Sequence, residues 1–295
     1  MSLSHKYTSI AEAISKKTHA SFTPYKQYPL SGGCINHSSR LQSSDGRTYF
    51  VKENNPNFLP FFEAEAQALD EIKSTQTIRV PEVITFGLTS SASFLVLEFM
   101  EEASPTPASS AQLGKSLAQL HIVSQPFFGW EINNCIGATP QPNPRTENWV
   151  DFYRSHRLSH QFSLAKEKNK RFEKVEELLD GMPFFFQNYS PHPSLLHGDL
   201  WGGNVSVNSD GTPFIFDPAS YYGDREADIA FTYMFGGFPP SFYQGYNEVY
   251  PLDQGFRMRK SLYNLYHELN HFNLFGGGYA ASAQSSIFEL VSHFS

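Results

Sequence analysis

The chain predicts a two-lobed α+β fold, with a small β-rich N-terminal lobe over residues 1–100 and a larger, mainly helical C-terminal lobe over residues 101–295. Three features of the sequence predict it. The first third alternates short apolar runs with glycine- and aspartate-bearing turns. A stretch with two prolines and no apolar periodicity, EEASPTPASS at 101–110, then interrupts the chain and places a hinge at about 99–110. Beyond it, apolar residues recur at helical spacing. A length of 295 residues suits two lobes sharing a cleft at their join.

The elements follow in order. Ser9 and Glu12 have capping-box spacing, and Ile10, Ala13 and Ile14 share a helical face, so a short helix opens the chain. Leu30 to Asn36 reads as strand, glycine turn and strand. Ser43-Ser44-Asp45-Gly46 is a hairpin turn between strands at 38–41 and 47–52. Phe62, Ala66, Leu69 and Ile72 mark a helix over 61–73, and strand character returns at 79–86 and 94–99. Past the hinge, helices are predicted at 111–123, 149–168 and 171–179, with an ordered loop at 129–148 where Pro and Asn cluster. A hairpin spans 204–217 and helices resume from Asp228. In the tail, Tyr263, Tyr266, Phe272 and Phe275 are expected in the core.

Composition narrows the function. Hydrophobic residues make up 40% and charged residues 17%, and 27 Phe, 15 Tyr and 3 Trp supply ample burial for a globular protein. A net charge of −7 without a Lys/Arg stripe argues against nucleic acid as a partner. No stretch approaches the roughly 20 apolar residues that cross a bilayer, and residues 2–17 lack a secretory apolar region, so no membrane association is expected. The two cysteines, Cys34 and Cys135, do not make a disulfide framework, which suits the cytoplasm.

The strongest motif is His197-Gly198-Asp199-Leu200-Trp201-Gly202-Gly203-Asn204. Protein kinases place a similar His-x-Asp five residues before an Asn; the Asp accepts the proton of the attacking hydroxyl and the Asn oxygen holds magnesium. A second acid, Asp217, ends the apolar strand Phe214-Ile215-Phe216. The turn Asn208-Ser209-Asp210-Gly211 between them would fold Asp217 back beside Asn204, giving two oxygen ligands for Mg²⁺ on nucleotide phosphates. Pro218 and Ala219 stand where kinases have Phe and Gly.

The first lobe supplies candidates for the nucleotide. Lys52 ends the strand Tyr49-Phe50-Val51-Lys52, as the phosphate-binding lysine of kinases does, and Glu65 on the following helix could clamp it, with Glu63 as competitor. The segment Leu95 to Met100, with Glu98 and Met100 at its end, fits a strand whose backbone holds adenine. Gly32 and Gly33 make a turn that could cradle phosphates. Cys34 beside it is either a redox-sensitive thiol or a small turn residue. His121 reads as a packing or capping histidine, and Asp228 as a helix cap or a brace for the catalytic segment.

With these residues placed, the chain resembles the fructosamine (ketosamine) kinase family, within the aminoglycoside and choline kinase-like group of the protein-kinase-like fold. Gly33-Cys34-Ile35-Asn36, FEAEAQAL from Phe62, Gln141 with Asn143, Trp149 with Arg157, HGDLWGGN from His197, YYGDREADIAFTYMFGGF from Tyr221 and the run 262–278 share its pattern. Asp224 departs from it, where the family favours His. The resemblance implies ATP-dependent phosphorylation of a small-molecule or protein-bound ketosamine (fructosamine or ribulosamine) at a sugar hydroxyl, O3, with ATP and Mg²⁺ as cofactors, in deglycation repair. It also gives Trp201 a sugar contact, against the alternative of a loop anchor. The competing readings are a kinase for an aminoglycoside- or choline-like acceptor and a non-catalytic nucleotide-binding pseudokinase.

Overall fold

The computed structural model describes residues 5–30 and 35–295. The turn with Gly32, Gly33 and Cys34 lies outside them. The chain divides into two compact units, Met1–Ser109 with Val205–Asp217, and Ser110–Asn204 with Pro218–Ser295. This differs from the expected division at 100/101, and the hairpin grouped with the second lobe belongs to the first. Backbone pairing is the reason. The hairpin strand Val205–Asn208 runs antiparallel to Glu102–Ala103, and Ile215 N–H donates to the Arg79 carbonyl at 3.0 Å.

In the first unit, α1 (His5–Thr18) begins before Ser9, so Ser9 is not its cap. The apolar stripe that defines the helix, Tyr7, Ile10, Ala11 and Ile14, already starts at residue 7. β1 (Pro24–Leu30), β2 (His37–Ser43), β3 (Thr48–Asn54), β4 (Val83–Leu88) and β5 (Ser93–Glu98) form one antiparallel sheet in the order β1-β2-β3-β5-β4. β4 starts later than the predicted 79, because Arg79 bridges instead to Phe214 and Pro81 has no N–H to give a ladder. Phe62, Ala66, Leu69 and Ile72 are the buried stripe of α2 (Leu59–Ser74), as their spacing predicted.

Register decides where Lys52 points. Val51 pairs with Val96, and both pack with α1; the next pair, Lys52 with Leu95, therefore faces the opposite side of the sheet. A slip of one residue would exchange the two sides.

The second unit is mainly helical. After β6 (Glu102–Ala103) in the chain, α3 (Pro107–Ile122) leads to a stretch predicted as loop that also contains a small hairpin, β7 (Asn134–Ile136) with β8 (Thr139–Gln141). Asn148 caps α4 (Trp149–Tyr153), its Oδ1 accepting from Asp151 N–H at 3.1 Å. A π-helical turn at Arg154–Leu158 joins α4 to α5 (Ser159–Glu167), and this turn carries the fully buried Arg157. α6 (Val175–Gly181) starts after the predicted 171, because Lys174 takes a left-handed φ of 58°.

α7 (Glu226–Phe231), α8 (Pro240–Val249), α9 (Phe256–Phe275) and α10 (Tyr279–Val291) complete the unit. Leu262, Tyr263, Leu265, Tyr266 and Leu269 of α9 are buried, as is Ile287 of α10. The expectation of a core role fails for Phe275, which is 53% exposed at the helix end. Among the described residues, no helix is long and apolar enough to cross a membrane.

Candidate active site

In the first unit, Lys52 is buried and its Nζ lies 2.6 Å from Glu65 Oε1 and 2.6 Å from Asp217 Oδ1. α2 turns Glu65 inward and leaves Glu63 exposed, which settles the choice between them. Burial by itself would lower the Lys52 pKa, but the carboxylates of Asp217 and Glu65 outweigh it and hold the ammonium above the ordinary lysine value. Burial pushes the Glu65 carboxyl upward, Lys52 pulls it back, and the charge on Asp217 adds to the rise. Asp217 has a φ of +58°, a left-handed backbone that Asp tolerates better than most residues and that aims its carboxylate at Lys52. With Oδ1 on the lysine, Oδ2 is a hard oxygen suited to a divalent cation.

Glu98 and Met100, expected beside adenine, are held by Arg79. Its Nη2 donates to both Glu98 carboxylate oxygens, at 2.5 and 2.6 Å, and lies 3.8 Å from Met100 Sδ. Glu98 N–H donates to the Glu82 carbonyl at 2.8 Å. The Glu98 side chain is thus a brace.

In the second unit, Asp199 and Asn204 come together. Asn204 Nδ2 donates to the Asp199 carbonyl at 2.8 Å and to Asp199 Oδ2 at 3.0 Å. Spending the amide nitrogen on Asp199 turns Oδ1 the other way, where it too suits a hard cation. Gly198 is required by the backbone. It has a φ of +84°, and a Cβ on it would lie 2.1 Å from the Ala219 carbonyl oxygen. At Gly203 a Cβ would strike the Trp201 indole at 2.4 Å, whereas nothing lies within 4 Å of one at Gly202. Trp201 is half-buried, with its ring edge-on to Phe235 at 5.7 Å.

Asp228, buried to 2% exposure, braces this loop. It accepts from His197 N–H at 2.7 Å, Gly198 N–H at 2.8 Å and His121 Nε2 at 3.1 Å. Burial lowers the His121 pKa against the pull of Asp228, so the ring is neutral and directs its proton at that carboxylate, while Nδ1 faces the Tyr246 hydroxyl at 2.8 Å. His121 is therefore a strut for the brace. A second network lies under residues 219–221. Gln141 Nε2 and Asn134 Nδ2 donate to the Ala219 and Ser220 carbonyls, and Arg157 Nη2 donates to Asn143 Oδ1 at 2.6 Å with its guanidinium 4.1 Å from the Tyr221 ring centre. Asp224 is fully buried and accepts from the Tyr189 and Tyr263 hydroxyls and from Glu226 N–H.

The model describing fructosamine kinases matches residues 6–293. This chain belongs to the fructosamine kinase family. A Synechocystis sp. protein named as a ketoamine kinase is 44% identical over 282 residues, covering 95% of each chain. A chloroplastic protein-ribulosamine 3-kinase of Arabidopsis thaliana is 40% identical over 264 residues, covering 88% of this chain and 80% of the plant protein. The crystal structure of a protein assigned as a fructosamine-3-kinase from Haemophilus somnus 129PT matches with a TM-score of 0.90 at 31% identity, covering 97% of both chains. The choline kinase LicA of Streptococcus pneumoniae, at 14% identity and a TM-score of 0.66 over 99% of this chain and 100% of LicA, shares the fold.

Several family-chain residues that shape the site escaped the sequence reading. Arg79 was only a strand residue there, yet it ties Glu98 and the hairpin together. The buried pair Arg259–Glu226, at 2.7 Å, carried no local signal at all. Arg157 and Gln141 were visible only as parts of a family pattern.

Proposed function

We propose that this family member is an ATP-dependent kinase of ketosamines that transfers the γ-phosphoryl group to the sugar O3, in deglycation repair in the cytoplasm. The observation that carries the reading is Lys52 held between Glu65 and Asp217, a buried cation fixed at the position that pairs with α/β phosphates. Asp199 orients the sugar hydroxyl and accepts its proton. Asn204 and Asp217 hold Mg²⁺, which neutralises charge on the phosphates; one or two protein oxygens suffice for an ion that also binds phosphate. Their places in the sequence support this reading, since they bracket the hairpin in which Val205 pairs with Ile215. The carbonyl of Glu98 and the backbone of Met100 receive adenine, Gly32 and Gly33 cradle the phosphates, and Trp201 contacts the sugar. A loose phosphoryl transition state needs chiefly this positioning and charge neutralisation.

The names of the relatives, ketoamine kinase and ribulosamine 3-kinase, favour this acceptor over a choline or an aminoglycoside. The test is ADP release with Mg-ATP and ribulose-lysine or fructose-lysine. Turnover is expected, falling by about 10² to 10⁴ in Asp199→Asn. No release with either adduct, or undiminished kcat in the variant, refutes the reading.

A further inference from the structure

Arg40 shares a sheet face with Lys52. β2 pairs with β3 so that Ser38 opposes Lys52 and Arg40 opposes Phe50, and β5 continues the two rows with Leu95 and Leu97. The alternate residues Leu41, Val51 and Val96 pack with Ile10 and Ile14 of α1. Alternation therefore turns Arg40 and Lys52 to the face away from α1. The Arg40 row stands roughly 7 Å along the strands from the Lys52 row, on the side that leads to Glu98 and Met100.

On that face Arg40 is a cation held without an acid. Its guanidinium carbon lies 4.8 Å from the Phe99 ring centre and 5.5 Å from that of Tyr28. Arg47 and Arg79 of the same unit each meet a carboxylate. Arg40 meets none among the described residues, and its Nε is buried with no hydrogen-bond partner among them. A half-buried guanidinium so placed has given up water without gaining an anion, a cost that a ligand can offset. The two rings restrict where the group points. A flat, delocalised cation also stacks on aromatic faces, which the compact ammonium of a lysine does poorly.

Resting on the nucleotide site proposed above, we propose that Arg40 binds the base of the nucleotide, stacking its guanidinium on the adenine face while Lys52 takes the phosphates. Position favours the base over the phosphates. The offset between the two rows is on the order of the ribose that separates a base from its α-phosphate. It runs toward the segment that receives adenine, and Phe99, beside the guanidinium, belongs to that segment.

The experiment measures binding by displacement of a fluorescent ATP analogue from the wild type, Arg40→Met and Arg40→Lys. The competitors are ATP, adenosine, which lacks phosphates, and tripolyphosphate, which lacks the base. Both variants are expected to bind ATP and adenosine about tenfold more weakly and tripolyphosphate within about twofold of the wild type. In ADP release with ribulose-lysine, KM for ATP should rise by the same factor with kcat within about twofold. Adenosine binding that is unchanged in the variants, or not measurable in the wild type, overturns the assignment. So does a loss confined to ATP and tripolyphosphate, which would make Arg40 a phosphate contact, and so does full recovery in Arg40→Lys, where charge alone would suffice. Equal losses for all three competitors in both variants also overturn it, being a disturbed sheet and not a lost contact. A wild type that binds ATP but turns over no ketosamine sinks the kinase reading and leaves this inference to the binding data; one that does not bind ATP sinks both.

Discussion

Replacing Asp228 with Asn keeps the size of the side chain but swaps one acceptor oxygen for an NH₂ group. The carboxylate serves three donors, with Oδ2 on His197 N–H and His121 Nε2 and Oδ1 on Gly198 N–H. Asn can turn its oxygen toward the first two, and its NH₂ then faces the Gly198 amide. The change loses one charge-assisted hydrogen bond, about 1.5–3 kcal/mol, and leaves a buried donor unsatisfied, about 1–3 kcal/mol. A loss of roughly 3–5 kcal/mol is expected, a large part of the ~5–15 kcal/mol by which domains are stable. The two amides belong to the residues just before Asp199, so the same change should displace the carboxylate proposed as the base and lower kcat about 10²-fold. Urea unfolding gives the first quantity and ADP release the second. A variant with wild-type unfolding midpoint and kcat would refute the assignment of Asp228 as the brace.

Gly198→Ala should cost more than tenfold in kcat, since about 1–2 kcal/mol of left-handed strain adds to the clash with the Ala219 carbonyl, while Gly202→Ala, facing open space, should stay near wild type; the pair is compared by ADP release. Lys52→Met removes the cation from the buried Glu65 and should abolish productive ATP binding. Its stability deficit in urea should be larger at pH 8 than at pH 6, because the unpaired buried carboxyl relieves its burial by taking up a proton. His121 has a folded-state pKa below its unfolded value near 6.5. The unfolded chain therefore binds the extra proton first, and the stability from the neutral ring, complete above about pH 6.5, is lost as pH falls toward the lowered folded value. Melting temperature against pH should fall less steeply below pH 6.5 in His121→Gln than in the wild type; identical slopes would remove His121 from the acid response.

Short-range pattern made much of this chain readable. The stripe of α2, the turn between β2 and β3, and the hydrogen-bonded pair Asp199 and Asn204 all lie within a few residues of their partners, so periodicity and turn chemistry reveal them. Lys52 was legible for the same reason, as the one cation of a short apolar strand, although β3 continues past it to Asn54. Glu65 was only half legible: two glutamates on one helix compete, and the rotation of α2 buries one and exposes the other. Other features have no signature along the chain. His121 meets Tyr246 across 125 positions, Arg259 meets Glu226 across 33, and the hairpin at 205–217 joins the first unit by pairing with Glu102–Ala103. The order of residues thus specified most of the elements and the candidate groups placed on them. The braces that hold those groups still came from packing, because a buried carboxylate or guanidinium takes whichever donors and acceptors the closing chain brings within hydrogen-bond reach.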